Sequence, residues 1–113
     1  MSFCQLDIYK DSKNICLEIA GLRLLPDEIT RRFGITFVDE DLSDGLGPMQ
    51  GAVIRTDSER RFGLVHYLKA PVKGTGVWTY EHSQDLAEDL RDFLECFGIT
   101  KDEIIYVHPT LKL

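Results

Sequence analysis

The stretch SQDLAEDLRDFLECF, residues 83–97, carries the strongest secondary-structure signal in this chain of 113 residues. Its apolar side chains recur at steps of four, three, one and three residues, which aligns them on one stripe of an α-helix. Ser83 is a suitable N-cap, and Gly98 can take the left-handed conformation that ends a helix. The pattern predicts a helix whose buried stripe consists of Leu86, Leu90, Phe93, Leu94 and Phe97.

The opposite side of this helix is acidic. Across residues 81–96 six acids accompany one base, Arg91, which gives a local net charge of −5. This side is interpreted either as a face that only meets water or as a docking surface for a basic protein. The candidate partner-binding residues are Asp85, Glu88, Asp89, Asp92 and Glu95. All of them except Asp89 are expected to stay exposed.

The rest of the chain contains short apolar runs, rich in β-branched and aromatic residues, which are typical of strands. The predicted strands are residues 3–9, 15–20, 35–38, 52–56, 62–69, 77–80 and 104–107. The first two are predicted to form a hairpin across the turn-rich residues 10–14. A second, short helix is predicted to begin at Pro26 and to be capped by Gly34.

The resulting order, β-β-α-β-β-β-β-α-β, predicts an α+β fold. A mostly antiparallel sheet with two helices packed on one face accommodates this order. A length of 113 residues is typical of one domain, which we take to span 1–113. The 43% of hydrophobic residues is an ordinary globular value and argues against disorder.

The formal net charge of −6 repels phosphate backbones and favours a basic partner. Positive residues do concentrate between positions 55 and 73, but strand alternation distributes them over two faces. We therefore predict that the protein binds no nucleic acid. No apolar run reaches the length of a membrane helix, so no membrane association is predicted either.

The three cysteines are Cys4, Cys16 and Cys96, an odd number without the tight spacing of a zinc site. They are not a disulfide framework, and we expect reduced, mostly buried thiols. The first residues do not have the basic-then-apolar form of a signal peptide. The predicted compartment is therefore the cytoplasm.

Residues 39–51 are predicted to form an acidic, glycine-containing loop. Its candidate binding residues are Asp39, Glu40, Asp41 and Asp44. A calcium loop that began at Asp39 would need Gly at its sixth position and Glu at its twelfth, where this chain has Asp44 and Gln50. The loop is therefore interpreted as a solvated turn or as a second part of a partner-binding surface, and no metal is predicted.

The sequence contains no recognised catalytic constellation. His66, His82 and His108 are each isolated in sequence, so no pair is placed on one face of a helix or strand. Neither a nucleophile elbow nor a phosphate-binding loop is present. We therefore predict no cofactor and no enzymatic activity.

Residues 25–35, LPDEITRRFGI, resemble the D-P-D-E-I-T-x-x-L-G-I stretch of a family of small bacterial domains of unknown function. Gly76-Val77-Trp78-Thr79, followed by the helix ending at Phe97, is similar to its G-x-W-S element and the helix after it. The resemblance covers about a third of the chain and implies an α+β fold. The size, the acidity and the absence of catalytic motifs also resemble bacterial toxin-immunity proteins.

These observations give three functional hypotheses. The first is a binding protein that occludes a basic partner, most concretely an immunity protein for a toxin nuclease, through the acidic helix face and the acidic loop. The second is a module that binds a small molecule or a peptide in a pocket near Trp78, Tyr80 and His66. The third is an enzyme whose site has no recognisable motif.

Overall fold

The computed structural model describes residues 2–11, 15–41, 47–70, 74–80 and 85–111. The strands are β1 (Phe3–Leu6), β2 (Ile15–Leu22), β3 (Val38–Asp41), β4 (Pro48–Thr56), β5 (Arg61–Tyr67), β6 (Thr75–Tyr80) and β7 (Ile104–Val107). The helices are α1 (Ile8–Asp11), α2 (Pro26–Phe33) and α3 (Leu86–Phe97), and a 3₁₀ turn covers Lys101–Glu103. The α+β class and the order of strands and main helices are as predicted, with the single-turn α1 added between β1 and β2.

The described strands form one antiparallel sheet with the order β1-β4-β5-β6-β2-β7. The strand β3 also pairs with β4, so that β1 and β3 lie end to end along the same edge of that long strand. The predicted hairpin between β1 and β2 is wrong, because β1 pairs with β4 and β2 lies between β6 and β7. Alternating apolar residues predict a strand but do not choose its neighbour, which depends on competing long-range registers.

The main core lies between the sheet and the helices α2 and α3. Phe93 of α3 packs edge-on against Phe62 of β5, with ring centroids 5.2 Å apart, and tilts against Phe97 at 4.8 Å. In α2, Ile29 is buried in the same cluster. The predicted apolar stripe of α3 is confirmed: Leu90, Phe93 and Phe97 are buried, and Leu86 and Leu94 pack partly buried against them. Each fully buried side chain of this kind contributes about 1.5–3 kcal/mol to folding.

The ends of α3 are defined by side-chain and backbone capping. Asp85 is the N-cap, and its carboxylate accepts a hydrogen bond from the Glu88 backbone N–H at 3.1 Å. The N-cap therefore lies two residues after the predicted one, Ser83, which is outside the described residues. At the other end Gly98 takes the predicted left-handed conformation, with φ of 63°.

Two further predictions need correction. The acidic segment that begins at Asp39 is not a loop throughout, because Val38–Asp41 forms β3 and pairs with the first half of β4. Acidic residues are tolerated there because β3 is an edge strand. Cys4 and Cys96 are free thiols, but Cys4 is exposed and not buried. Of the described helices, none is long and apolar enough to cross a membrane.

Candidate functional site

On the sheet face opposite α2 and α3, glycines in several strands leave a shallow depression, because they have no side chains to cover the backbone. Gly51, Val65, Gly76 and Gly21 are register partners in turn across β4, β5, β6 and β2. The row ends on β7, where Tyr106 is paired with Gly21. Because a glycine has no side chain, neighbouring groups can lie directly on the backbone at these positions.

Side chains from the same or an adjacent strand occupy the space above two of these glycines. A Cβ atom on Gly21 would lie 2.3 Å from Cε1 of the Tyr106 ring. A Cβ atom on Gly76 would lie 2.2 Å from Oε2 of Glu18 and 3.0 Å from Nε1 of Trp78. Tyr106 therefore lies over Gly21, whereas Glu18 and Trp78 meet beside each other over Gly76.

These three side chains border an open cavity of about 460 Å³. That volume lies within the range of sites that hold small molecules. The remaining lining residues are mainly apolar or aromatic, and include Leu22, Val65, Tyr67, Ala70 and Ile105. The described residues that line the cavity include one charged side chain, Glu18, and no basic one.

Trp78 supplies a buried hydrogen-bond donor. Its indole Nε1 is buried, and no described residue accepts a hydrogen bond from it. A buried donor left in this state costs about 1–3 kcal/mol, which is why nearly all such groups in folded proteins have partners. An unpaired donor at the floor of a cavity is therefore a position where a ligand can gain binding energy.

Glu18 is positioned by the register of β2 and by Tyr106. Glu18 is the direct partner of Trp78 across the β2–β6 pair, and a bulge follows it before Ala20. The hydroxyl of Tyr106 donates a hydrogen bond to Oε1 of Glu18. Burial, and then the hydrogen bond and charge of Glu18, raise the pKa of Tyr106 well above its usual value. Tyr106 thus stays a protonated donor at neutral pH, and Oε2 has no donor among the described residues.

A second, apolar cavity of about 210 Å³ adjoins the first. Both cavities are lined by Val65, Tyr67 and Trp78. Ile8 of α1 and Met49 border the second cavity and cover Gly51. The face opposite α2 and α3 therefore offers a polar and aromatic cavity that continues into an apolar one.

The predicted pocket near Trp78, Tyr80 and His66 is only partly what the structure contains. Trp78 lines both cavities, whereas Tyr80 and His66 line neither of them. His66 alternates with Val65 and Tyr67 along β5, so it points to the other face, and its Nδ1 lies 2.6 Å from the Gly74 carbonyl oxygen. Tyr80 lies further along β6, with the Arg61 guanidinium 6.0 Å from its ring centroid.

The acidic residues of α3 are divided between surface and interior. Asp89 pairs with Arg60 at 3.0 Å, and Asp92 accepts a hydrogen bond from the Thr56 hydroxyl at 2.7 Å. The side chains of Asp89 and Asp92 are only 13% and 11% exposed, so the expected exposure of Asp92 is wrong. Burial raises the pKa of Asp89, although Arg60 acts in the opposite direction. The helical pattern missed this because the β4–β5 turn, which contributes Arg60, approaches from elsewhere in the chain.

The other acidic residues of α3 face the solvent to different degrees. Asp85 is exposed and is engaged as the N-cap. Glu88 is half-buried and lies 3.0 Å from the guanidinium of Arg91. Glu95 is exposed.

The two acidic segments are not brought together. Asp39 is exposed and Glu40 is half-buried on β3, the backbone of Asp41 ends that strand, and Asp44 lies outside the described residues. Asp39 is paired with Gln50, whereas Asp92 is held at Thr56, six residues further along β4. At about 3.4 Å per residue this separates them by about 20 Å along the strand.

Neither a metal-binding group nor a related protein indicates the function. Among the described residues, no group of three His, Cys, Asp or Glu side chains could hold a metal ion. Comparison of the chain with protein-family models, with curated proteins and with solved structures found no match. Function is therefore inferred from the geometry of the site.

Glu18 and Tyr106 are site residues that the sequence reasoning missed. A signal for them existed, because Glu18 interrupts an apolar strand and Gly21, Gly51 and Gly76 each lie within a strand. An isolated glycine in a strand indicates a bulge or a close approach of another group to the backbone. Three such glycines in different strands predict a depression in the sheet surface only when the strand register, which places them side by side, is known.

Proposed function

We propose that the protein is a non-enzymatic binding domain that holds a small molecule, or one side chain of a peptide, in the cavity around Trp78. The observation that carries this proposal is the buried Nε1 donor of Trp78, which has no acceptor among the described residues. A preformed cavity with a few polar groups that converge among apolar ones is typical of ligand sites.

The placement of these groups on strands supports the proposal. Glu18, Trp78 and Tyr106 belong to β2, β6 and β7, which are hydrogen-bonded neighbours in the sheet. Sites built on strands hold their side chains more precisely than sites on loops. The glycines beneath them provide depth without requiring any rearrangement of the backbone.

A basic protein partner, with an immunity protein as its most concrete form, is the second candidate. The observations that favour it are the net charge of −6 and the exposed carboxylates of Asp85 and Glu95. Asp89 and Asp92 contribute less to such a surface, because they hold α3 to Arg60 and Thr56. The acidic face available to a partner is thus smaller than the sequence predicts.

The test uses the single tryptophan of the chain as a reporter. One tryptophan gives one indole N–H signal in a ¹H–¹⁵N spectrum, and a fragment library can be screened against it. We expect fragments that bind the cavity to move this signal downfield, because the indole gains an acceptor. They should also move the backbone amide signals of Gly21 and Gly76, which line the cavity.

A matched control separates the two candidates. The double variant Asp85→Asn, Glu95→Gln removes exposed charge from α3 and should leave fragment binding unchanged. One combination of results would show that the second candidate is correct and the cavity proposal wrong. In it, no fragment moves a signal from the cavity, and the unchanged chain captures a basic protein from the source cell that the double variant does not capture.

A further inference from the structure

The polar groups of the cavity form a donor and an acceptor side by side. Nε1 of Trp78 and Oε2 of Glu18 both lie within 3.0 Å of the point where a Cβ atom of Gly76 would be. Oε1 of Glu18 already accepts the Tyr106 hydroxyl, whereas no described residue donates to Oε2. A ligand that approaches Gly76 thus meets one N–H and one carboxylate oxygen together.

This pair selects among the common polar groups of ligands. A carboxylate could accept from Trp78 but would be repelled by Glu18, which has no basic neighbour among the described lining residues. An amidinium or ammonium group could donate to Glu18 but would leave Nε1 of Trp78 without an acceptor. It would also face the indole edge, which is the positive part of the aromatic system.

A neutral group with an adjacent carbonyl and N–H matches both partners at once. Primary amides and the lactam edges of heterocycles carry this arrangement. The rings of Tyr67, Trp78 and Tyr106 and the apolar Val65 and Ile105 line the same cavity, which suits a planar body attached to that edge.

We propose that the cavity binds a planar ring that carries a primary amide or a lactam edge. Its carbonyl oxygen accepts the Trp78 indole N–H, and its N–H donates to Oε2 of Glu18. This inference rests on the proposed function, because it names the chemistry of the ligand for the same cavity.

Three probes with the same ring and different polar groups test the inference. Benzamide offers an acceptor and a donor, benzamidinium only donors, and benzoate only acceptors. Each is titrated into the intact chain, and binding is followed by the amide signals of Gly21 and Gly76. We expect benzamide to bind with a dissociation constant in the millimolar range, which is typical of a fragment of this size. Benzamidinium should bind at least about threefold more weakly, and benzoate at least about tenfold.

Two substitutions identify the contacts. Trp78→Phe removes the donor, and should weaken benzamide about fivefold to tenfold while it leaves benzamidinium within about twofold. Glu18→Gln keeps an acceptor oxygen but removes the charge, and should leave benzamide within about threefold. A cation held by Glu18 would instead be lost in that variant. Thermal unfolding checks that each variant is folded, and the three-probe comparison on the unchanged chain stands if Trp78→Phe does not fold.

The possible results separate this inference from the proposed function. If benzamidinium binds more tightly than benzamide and is lost in Glu18→Gln, the cavity is a binding site but for cations, and the inference is wrong. If none of the three probes binds while other library fragments occupy the cavity, the inference again fails and the proposed function stands. If no fragment of any kind reaches the cavity, the proposed function itself fails.

Discussion

The two faces of the sheet differ in whether their buried polar groups have hydrogen-bond partners. On the face covered by α2 and α3, Thr75 donates to the Leu24 carbonyl at 2.8 Å and Thr79 donates to the Leu17 carbonyl at 3.3 Å. On the face opposite α2 and α3, Trp78 keeps a buried donor for which the described residues provide no acceptor. A face that only stabilises the fold satisfies such groups internally, because an unpaired buried donor costs free energy. This difference is the observation on which the proposed binding site around Trp78 rests.

The largest expected effect compares one aromatic side chain on each face. Phe93→Ala should lower the free energy of unfolding by about 3–5 kcal/mol, because it leaves a cavity in the closed core. Tyr106→Ala should cost only about 1–2 kcal/mol, since Tyr106 is 42% exposed and buries less area. Urea unfolding of both variants measures the difference, and equal costs would mean that the face opposite α2 and α3 is as much a core as the face they cover.

The next effect compares two acids of α3. Asp92→Ala should cost about 1–2 kcal/mol, because it removes the carboxylate that accepts from the Thr56 hydroxyl, while Arg60 keeps its closer partner Asp89. Glu95→Ala, a change of an exposed acid in the same helix, should stay within about 0.5 kcal/mol. The two unfolding curves are compared at pH 7. Identical midpoints would show that the contact of Asp92 with the β4–β5 turn does not stabilise the fold.

A smaller effect on stability, but a large one on binding, is expected for Gly76→Ala. The added Cβ would displace the Glu18 carboxylate, which is the mobile end of a long side chain. Stability should therefore change by less than about 1 kcal/mol, in contrast to substitutions in the closed core. Fragments found with the unchanged chain should no longer move the Trp78 indole signal, and retained binding would place their site elsewhere.

The smallest effect is a dependence of stability on alkaline pH. The pKa of Tyr106 is raised in the folded protein, so the folded state binds its proton more tightly than the unfolded state. The associated stability is complete below the unfolded pKa of about 10 and is lost as the pH rises above it. Thermal unfolding at pH 9 and pH 11 should show a smaller loss in Tyr106→Phe than in the unchanged chain. A loss of the same size in both would contradict the contact with Glu18.

The sequence and the structure differ most where a feature depends on strand neighbours. The acidic stripe of α3 is visible in the sequence, but the approach of Arg60 that half-buries Asp89 and Asp92 is not. Trp78 was predicted to line a pocket, but its partner Glu18 was not, because the two residues are sixty positions apart and meet through the β2–β6 register. A contact of this kind leaves no trace in local spacing.

What the sequence by itself determined is the fold class and its main elements, α1 excepted. The periodicity of residues 83–97 and the apolar runs around them specify the α+β class, the two main helices and the buried row of α3. These follow from local physics, since a helix repeats every 3.6 residues and a strand every two. Only the tertiary structure decided that β1 pairs with β4, that Gly21 lies beneath Tyr106, and that Gly76 lies beneath Glu18 and Trp78. Register is chosen by the total burial of all strands together, and so the cavity exists only in the assembled sheet.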